Sequence, residues 1–253
     1  MDKKTVFITG AANGIGEECA KLFVEKGYFV GLYDIDEPAL IKLQQELGKE
    51  NTCMGVCDIS DIESVKRAFS EFGSITDNKL NILCVNAGIM VQGKFESFSA
   101  ERYKSLVNIN AFGSTNTILQ AFPLLKNTKD STVVITSSSS GMFGIPKFAG
   151  YSATKAYLKS LTESLAAEFE PLNINVVSVM PLFVKTQMMD KIENKHKAYL
   201  TPEKIAQVIY TAGTSPNKKR HYLVGKNLKA MELLRRTLPT KTFSGVVKWY
   251  LKE

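Results

Sequence analysis

The sequence predicts an α/β protein: one doubly wound parallel sheet with helices on both faces. Two observations predict it. Short apolar, β-branched runs alternate with amphipathic stretches along nearly the whole chain. No Pro/Gly/Ser linker, low-complexity tract or internal repeat interrupts the alternation, and 253 residues at 44% hydrophobic content suffice for one core. The expectation is a single domain over residues 1–253, with a core at about 4–190 and a substrate loop and C-terminal helices over 182–253.

The elements follow in order. "KTVFIT" reads as a strand and residues 14–26 as a helix ended by Gly27. "YFVGLYD" is a second strand, residues 37–47 a helix, and "TCMGVCD" a third strand. A helix over 61–72 leads to the strand "LNILCVN". A long helical region over 100–126 breaks near 112–113. "STVVITS" is a strand, 152–170 a helix, "INVVSVM" a strand, 202–213 a helix and "HYLVG" a last short strand. In such a sheet the crossovers are right-handed, and ligands bind at the carboxyl ends of the strands.

Composition narrows the function classes. "MDKKTVFITG" enters an apolar run almost at once, without the apolar region and cleavage site of a signal peptide, and no run reaches the roughly 18 residues of a membrane span. Cys19, Cys53, Cys57 and Cys84 form no CxxC pair, so reduced buried thiols and a cytoplasmic protein are expected. No His/Cys/carboxylate cluster has metal-ligand spacing. His196 and His221 are read as solvated or structural. Residues 185–253 carry 15 Lys/Arg against 5 Asp/Glu, and the residues before them 17 against 20, so the basic character belongs to the C-terminal quarter. No nucleic-acid motif accompanies it.

Between the first strand and the first helix, "TGAANGIG" places Gly10, Gly14 and Gly16 in the spacing G-x-x-x-G-x-G. Glycine permits the tight turn and lets backbone amides approach a pyrophosphate, whose charge a helix N-terminus stabilises. The second strand ends in Asp34, 18 residues beyond Gly16, where a carboxylate meets ribose hydroxyls and repels a 2′-phosphate. Its neighbours Ile35 and Asn13 are uncharged, so NAD is expected over NADP. An aspartate there can also cap the next helix.

"VNAG" (85–88), "NINAFG" (108–113), "TSSSSG" (136–141) and "YSATK" (151–155) complete a series that, with the glycines, resembles the classical short-chain dehydrogenase/reductases in order and spacing over about residues 4–190. The resemblance implies a Rossmann-type fold, NAD(H) as cofactor, a homodimer or homotetramer joined through the 100–126 and 152–170 helices, and the catalytic set Asn110, Ser138, Tyr151 and Lys155. The cofactor-binding set it implies is Gly10, Asn13, Gly14, Ile15, Gly16, Asp34, Asp58, Ile59, Asn86, Ala87, Gly88, Tyr151, Lys155, Pro181, Val184 and Thr186. Asp58 is assigned to the adenine amino group, Thr186 to the nicotinamide carboxamide, and Asn110 to a proton relay. The chemistry agrees. A free tyrosine, with a pKa near 10, is too weakly acidic to serve as an efficient base at neutral pH. Residues i and i+4 share a helix face, so the Lys155 ammonium is expected to favour the Tyr151 phenolate. Leu182 stands where the family has glycine after Pro181. If that position needs positive φ, leucine is strained by about 1–2 kcal/mol, or the loop follows another path.

Apolar and sulfur-bearing residues dominate the three segments expected around the substrate. Ser138, Met142, Phe148, Tyr151, Phe183 and Met188 are the substrate candidates, and a hydrophobic secondary alcohol or ketone, or a primary alcohol and aldehyde, is the expected class. The alternatives are a non-catalytic dinucleotide-binding sensor or scaffold on the same fold, and an epimerase or dehydratase of the larger sister group. The tail "KTFSGVVKWYLKE" gathers Phe243, Val246, Val247, Tyr250 and Leu251 on one helical face. That face packs on its own or a neighbouring subunit, or lies on an anionic membrane surface.

Overall fold

The computed structural model describes residues 3–190 and 200–251. His196 and Lys252 lie outside them. Seven parallel strands form one sheet: β1 (Thr5–Thr9), β2 (Phe29–Asp34), β3 (Thr52–Val56), β4 (Ile82–Val85), β5 (Thr132–Thr136), β6 (Asn175–Pro181) and β7 (His221–Val224). Their order is β3-β2-β1-β4-β5-β6-β7. The order reverses between β1 and β4, which opens a crevice at their carboxyl ends.

Strand β1 shows why the sheet is covered on both sides. Val6 and Ile8 enter one apolar layer, with helices α1 (Gly14–Glu25) and α8 (Pro202–Thr214). Phe7 points to the other, with α3 (Ile62–Ile75), α5 (Ser114–Lys126) and α6 (Ala149–Glu168). Its ring stacks on Tyr33 and Phe69, both at 4.1 Å. Burial of each such side chain contributes about 1.5–3 kcal/mol. A third apolar layer lies above the strand ends. There α9 (Leu228–Thr237) and α10 (Thr240–Leu251) pack Met231, Phe243 and Val247 against Met142, Phe143 and Phe148.

Side-chain caps fix four helix starts, while α5, α6 and α9 start without one. Asp36 accepts from Ala39 N–H at α2 (Glu37–Leu47), Asp61 from Glu63 N–H at α3, and Thr201 from Lys204 N–H at α8. Ser99 caps α4 (Ala100–Val107) in the same way. α1 has no such cap.

The break expected near 112–113 is a π-helical turn over Asn108–Gly113, joining α4 to α5. A π turn is a rare departure from α geometry and recurs at functional sites. Among the described residues no helix is long and apolar enough to cross a membrane. The expectation for the cysteines concerns packing and is met: Cys19, Cys57 and Cys84 are buried and Cys53 half-buried, all as free thiols. The ring of His221 bridges the Ser178 hydroxyl (2.7 Å) and the Glu163 carboxylate (3.0 Å), a structural role.

Candidate active site

A cavity of about 250 Å³ opens at the carboxyl ends of β1, β4, β5 and β6. One half is built for an anion and a ribose. Gly10 (φ +70°) sits so near β4 that an added Cβ would lie 2.8 Å from Ala87 Cα. Gly14 (φ +59°) begins α1. The Asn13 carboxamide oxygen, positioned to cap α1, accepts instead from Gln187 Nε2 at 3.3 Å. The first amides of α1 therefore keep no side-chain partner, and their partial positive charge suits a pyrophosphate. Asp34 lies on the wall. Its Oδ2 accepts from Ala12 N–H (3.1 Å), and its Oδ1 from Ile35 N–H (2.7 Å) and Asp36 N–H (3.1 Å). These contacts aim the carboxylate and leave it lone pairs for ribose hydroxyls. Asn86 ties β4 to the glycine loop by donating to the carbonyls of Thr9 (3.3 Å) and Gly10 (3.2 Å). These residues fit a dinucleotide.

The other half gathers the remaining groups. Tyr151 and Lys155 lie one turn apart on α6, with the Lys155 Nζ 5.6 Å from the centroid of the Tyr151 ring. Nζ donates to the Thr136 carbonyl at 2.9 Å. Ser138 lies near enough to Tyr151 to favour its phenolate, and Ser138 Oγ itself accepts from Ser140 N–H at 3.2 Å. Asn110, in the π turn, clamps the strand after β4. Its Nδ2 donates to the Ile89 carbonyl (2.8 Å) and to Thr154 Oγ1 (3.1 Å), while its Oδ1 accepts from Ile89 N–H (2.8 Å).

The description "short chain dehydrogenase" belongs to the family model that matches residues 4–197. The chain belongs to the short chain dehydrogenase family. It is 30% identical over 264 residues to dehydrogenase/reductase SDR family member 7B of Xenopus laevis, covering 96% of this chain and 81% of that protein. It is 35% identical over 192 residues to the oxidoreductase UcpA of Salmonella typhimurium, covering 75% of this chain and 72% of that one. Among solved structures, a 3-ketoacyl-(acyl-carrier-protein) reductase from Brucella melitensis complexed with NADH superposes with a TM-score of 0.82 at 25% identity, covering 87% of this chain and 96% of that one.

In this short chain dehydrogenase most residues singled out by sequence line the cavity, but five do not, among them Asn110, which is buried behind Ile89 and Thr154. Gly16 lies behind the glycine loop, where an added Cβ would meet the Gly10 carbonyl oxygen at 1.9 Å. Asp58 is exposed beyond the cavity wall, and its Oδ1 accepts from the Ser60 N–H (2.9 Å) and hydroxyl (2.7 Å), which shapes the turn into α3. Ile59 is buried against Gly113. Met142, assigned to substrate, is buried in the layer beneath α9 and α10 instead. Leu182 does line the cavity, without strain: it is not among the residues with positive φ, and its N–H donates to the Val224 carbonyl at 2.9 Å. Room for its side chain comes from Gly225 (φ +151°), where a Cβ would lie 2.8 Å from Leu182 Cβ.

Burial dominates the electrostatics of Tyr151 and Lys155. Burial pushes the Tyr151 phenol up to about 12, and the hydrogen bond from Ser138 only partly opposes it. The Lys155 Nζ lies 5.6 Å from the ring centroid and donates to the Thr136 carbonyl. Burial also lowers Lys155 from 10.5 to about 8. A folded pKa below the unfolded one means that the folded state sheds its proton first. Stability from this group therefore rises as pH climbs from about 8 to about 10.5. Lys155→Met should accordingly melt above the wild type at pH 7, by a margin that narrows toward pH 10. Paired melts across that range check it, and a constant or widening gap refutes the buried charge.

Proposed function

We propose that the protein interconverts a hydrophobic secondary alcohol and its ketone by hydride transfer, with NAD(H) as cofactor. One observation carries the reading: Tyr151, Ser138 and Lys155 open on the same cavity as the glycine loop and Asp34. The nicotinamide, when bound, takes or supplies the hydride and in its oxidised form adds positive charge beside the phenol. Asp34 would hold the adenosine ribose, the α1 amides the pyrophosphate, and Thr186 the carboxamide. Tyr151 removes the hydroxyl proton of the alcohol during oxidation and returns one to the carbonyl oxygen during reduction. Ser138 donates to the same substrate oxygen. Lys155 sets the field around the phenol, and Asn110 fixes the Ile89 backbone that forms the cavity floor.

Met90, Ile145, Phe148, Phe183 and Met188 line the substrate end, which supports an apolar substrate. Exposed Phe112, Leu119 and Tyr157 on α5, its preceding π turn and α6 support assembly of identical subunits through that side. The Thr115 and Tyr157 hydroxyls bond at 2.7 Å on it.

Cofactor preference follows from charge. A 2′-phosphate would meet the Asp34 carboxylate, and exposed Ile35 beside it offers no cation. NADH should bind at least about 30-fold more tightly than NADPH, a difference of roughly 2 kcal/mol. Asp34→Ser should shrink the ratio to a few-fold. Fluorescence titration of both nucleotides decides it, and tighter NADPH binding by the wild type sinks the preference. Alcohol-dependent NADH formation across a panel of hydrophobic alcohols, with Tyr151→Phe as control, tests the reaction itself.

A further inference from the structure

The C-terminal helix pair has two unlike faces, and the inner one packs on the apolar layer beside the cavity. Phe243 meets Phe143 edge-on at 5.7 Å, Val247 is buried, and Val246 and Tyr250 pack partly against the same layer. The Tyr250 hydroxyl donates to the Lys226 carbonyl at 2.7 Å, closing α10 onto the segment before α9. The apolar stripe legible in the tail is thus used within the subunit and cannot enter a bilayer without exposing that layer.

The outer face is different. Trp249 is 77% exposed and Leu233 62% exposed, the two largest apolar exposures on these helices. Lys226, Lys229, Arg235, Arg236, Lys241 and Lys248 are exposed over the same span, against Glu232 as its sole acid, which pairs with Arg236 at 2.7 Å. Helical spacing puts Lys229 and Arg236 beside Leu233, and Lys241 and Lys248 are exposed on α10 together with Trp249. Exposed apolar anchors among exposed cations complement an anionic lipid surface: lysine and arginine are drawn to acidic headgroups, and an indole favours the interface.

We propose that the outer face of α9 and α10 docks the protein peripherally on anionic membrane surfaces, with Trp249 and Leu233 as anchors. This stands apart from the proposed reaction, since it needs neither the cofactor nor turnover. It also puts the lipid on the far side of a helix pair whose inner face packs on the layer beside the cavity, so an apolar substrate partitioned in the bilayer would be concentrated near that end of the molecule.

The test uses the full chain, whose single tryptophan is the anchor itself. Vesicles of phosphatidylcholine with about 30% phosphatidylserine should shift Trp249 emission to the blue and pellet the protein, while pure phosphatidylcholine should do neither. About 0.5 M salt should release it. Lys241→Glu with Lys248→Glu should cut the bound fraction at least tenfold, and Trp249→Ser should lower it severalfold, with both variants melting like the wild type. Pelleting that ignores these substitutions overturns the proposal. So does an unshifted emission, an equal shift with duplex DNA and none with vesicles, or an emission already blue in the protein alone that reddens on dilution, which would put a second copy on this face.

Discussion

Tyr151→Phe is expected to lower kcat by about 10³-fold while nucleotide affinity stays within about twofold, because general acid/base groups contribute 10²–10⁴. The substitution removes one oxygen and keeps the ring that Lys155 faces at 5.6 Å. It deletes the hydroxyl that α6 presents to the cavity beside Ser138. In the cofactor-free protein that phenol sits at about 12, so it is almost wholly protonated near pH 7. Reduction uses the protonated form and should hold its rate through neutral pH. Oxidation needs the phenolate, so its rate should rise with pH until the phenol titrates, at a lower pH when oxidised nicotinamide brings its charge. Ser138→Ala should cost less alone, and combined with Tyr151→Phe it should add little, since the two act on one oxygen. Steady-state rates in both directions, with nucleotide titrations, read all of this. A kcat within tenfold of wild type in Tyr151→Phe would mean that another group moves the proton.

Much of this was legible in the sequence, for physical reasons that differ by element. The buried parallel strands announced themselves because both faces must be apolar, as the burial of every residue of β1 and β5 shows. Tyr151 and Lys155 were legible because a side chain with chemistry repeats at helical spacing. What stayed hidden depends on backbone groups and on what covers a surface. The Thr136 carbonyl that holds Lys155 and the Ile89 amide and carbonyl clamped by Asn110 leave no mark in residue type. Thr154, which accepts from Asn110, lay inside the quoted "YSATK" but looked like filler between two charged or polar groups. Gln187 was invisible as the partner of Asn13, 174 residues away. Amphipathicity showed that α10 has an apolar face, yet only the fold shows Phe143 against it. The leucine after Pro181 was a concern only for a positive φ, which the fold does not impose there, and the room for its side chain comes from the distant Gly225.

Gly16→Ala is the second substitution with a large expected effect, and here the damage is to binding and stability together. The new Cβ would stand 1.9 Å from the Gly10 carbonyl oxygen, 2.7 Å from its carbon and 2.9 Å from Asn86 Nδ2. Two of these are backbone atoms, so no side-chain rotation relieves the contact, and α1 must move away from the loop. Overpacking of this kind costs about 1–3 kcal/mol, which in a chain of this size lowers Tm by roughly 3–10 °C. The functional loss should be greater than the melting point suggests. The α1 amides are aimed at the cavity without a capping side chain, and a displacement of order 1 Å in a positioned group costs about 10²-fold. NADH affinity should therefore fall by about that factor. Two other glycines separate collision from backbone preference. Gly144→Ala, with nothing within 4 Å of its new Cβ, should change neither Tm nor affinity. Gly27→Ala also meets open space but forces alanine to φ +81°, so it should cost about 1–2 kcal/mol of stability and leave NADH affinity alone. If Gly16→Ala behaves like Gly27→Ala, with a lower Tm and undisturbed binding, the glycine loop does not depend on close seating of α1 to present its amides, and the pyrophosphate assignment loses its structural basis.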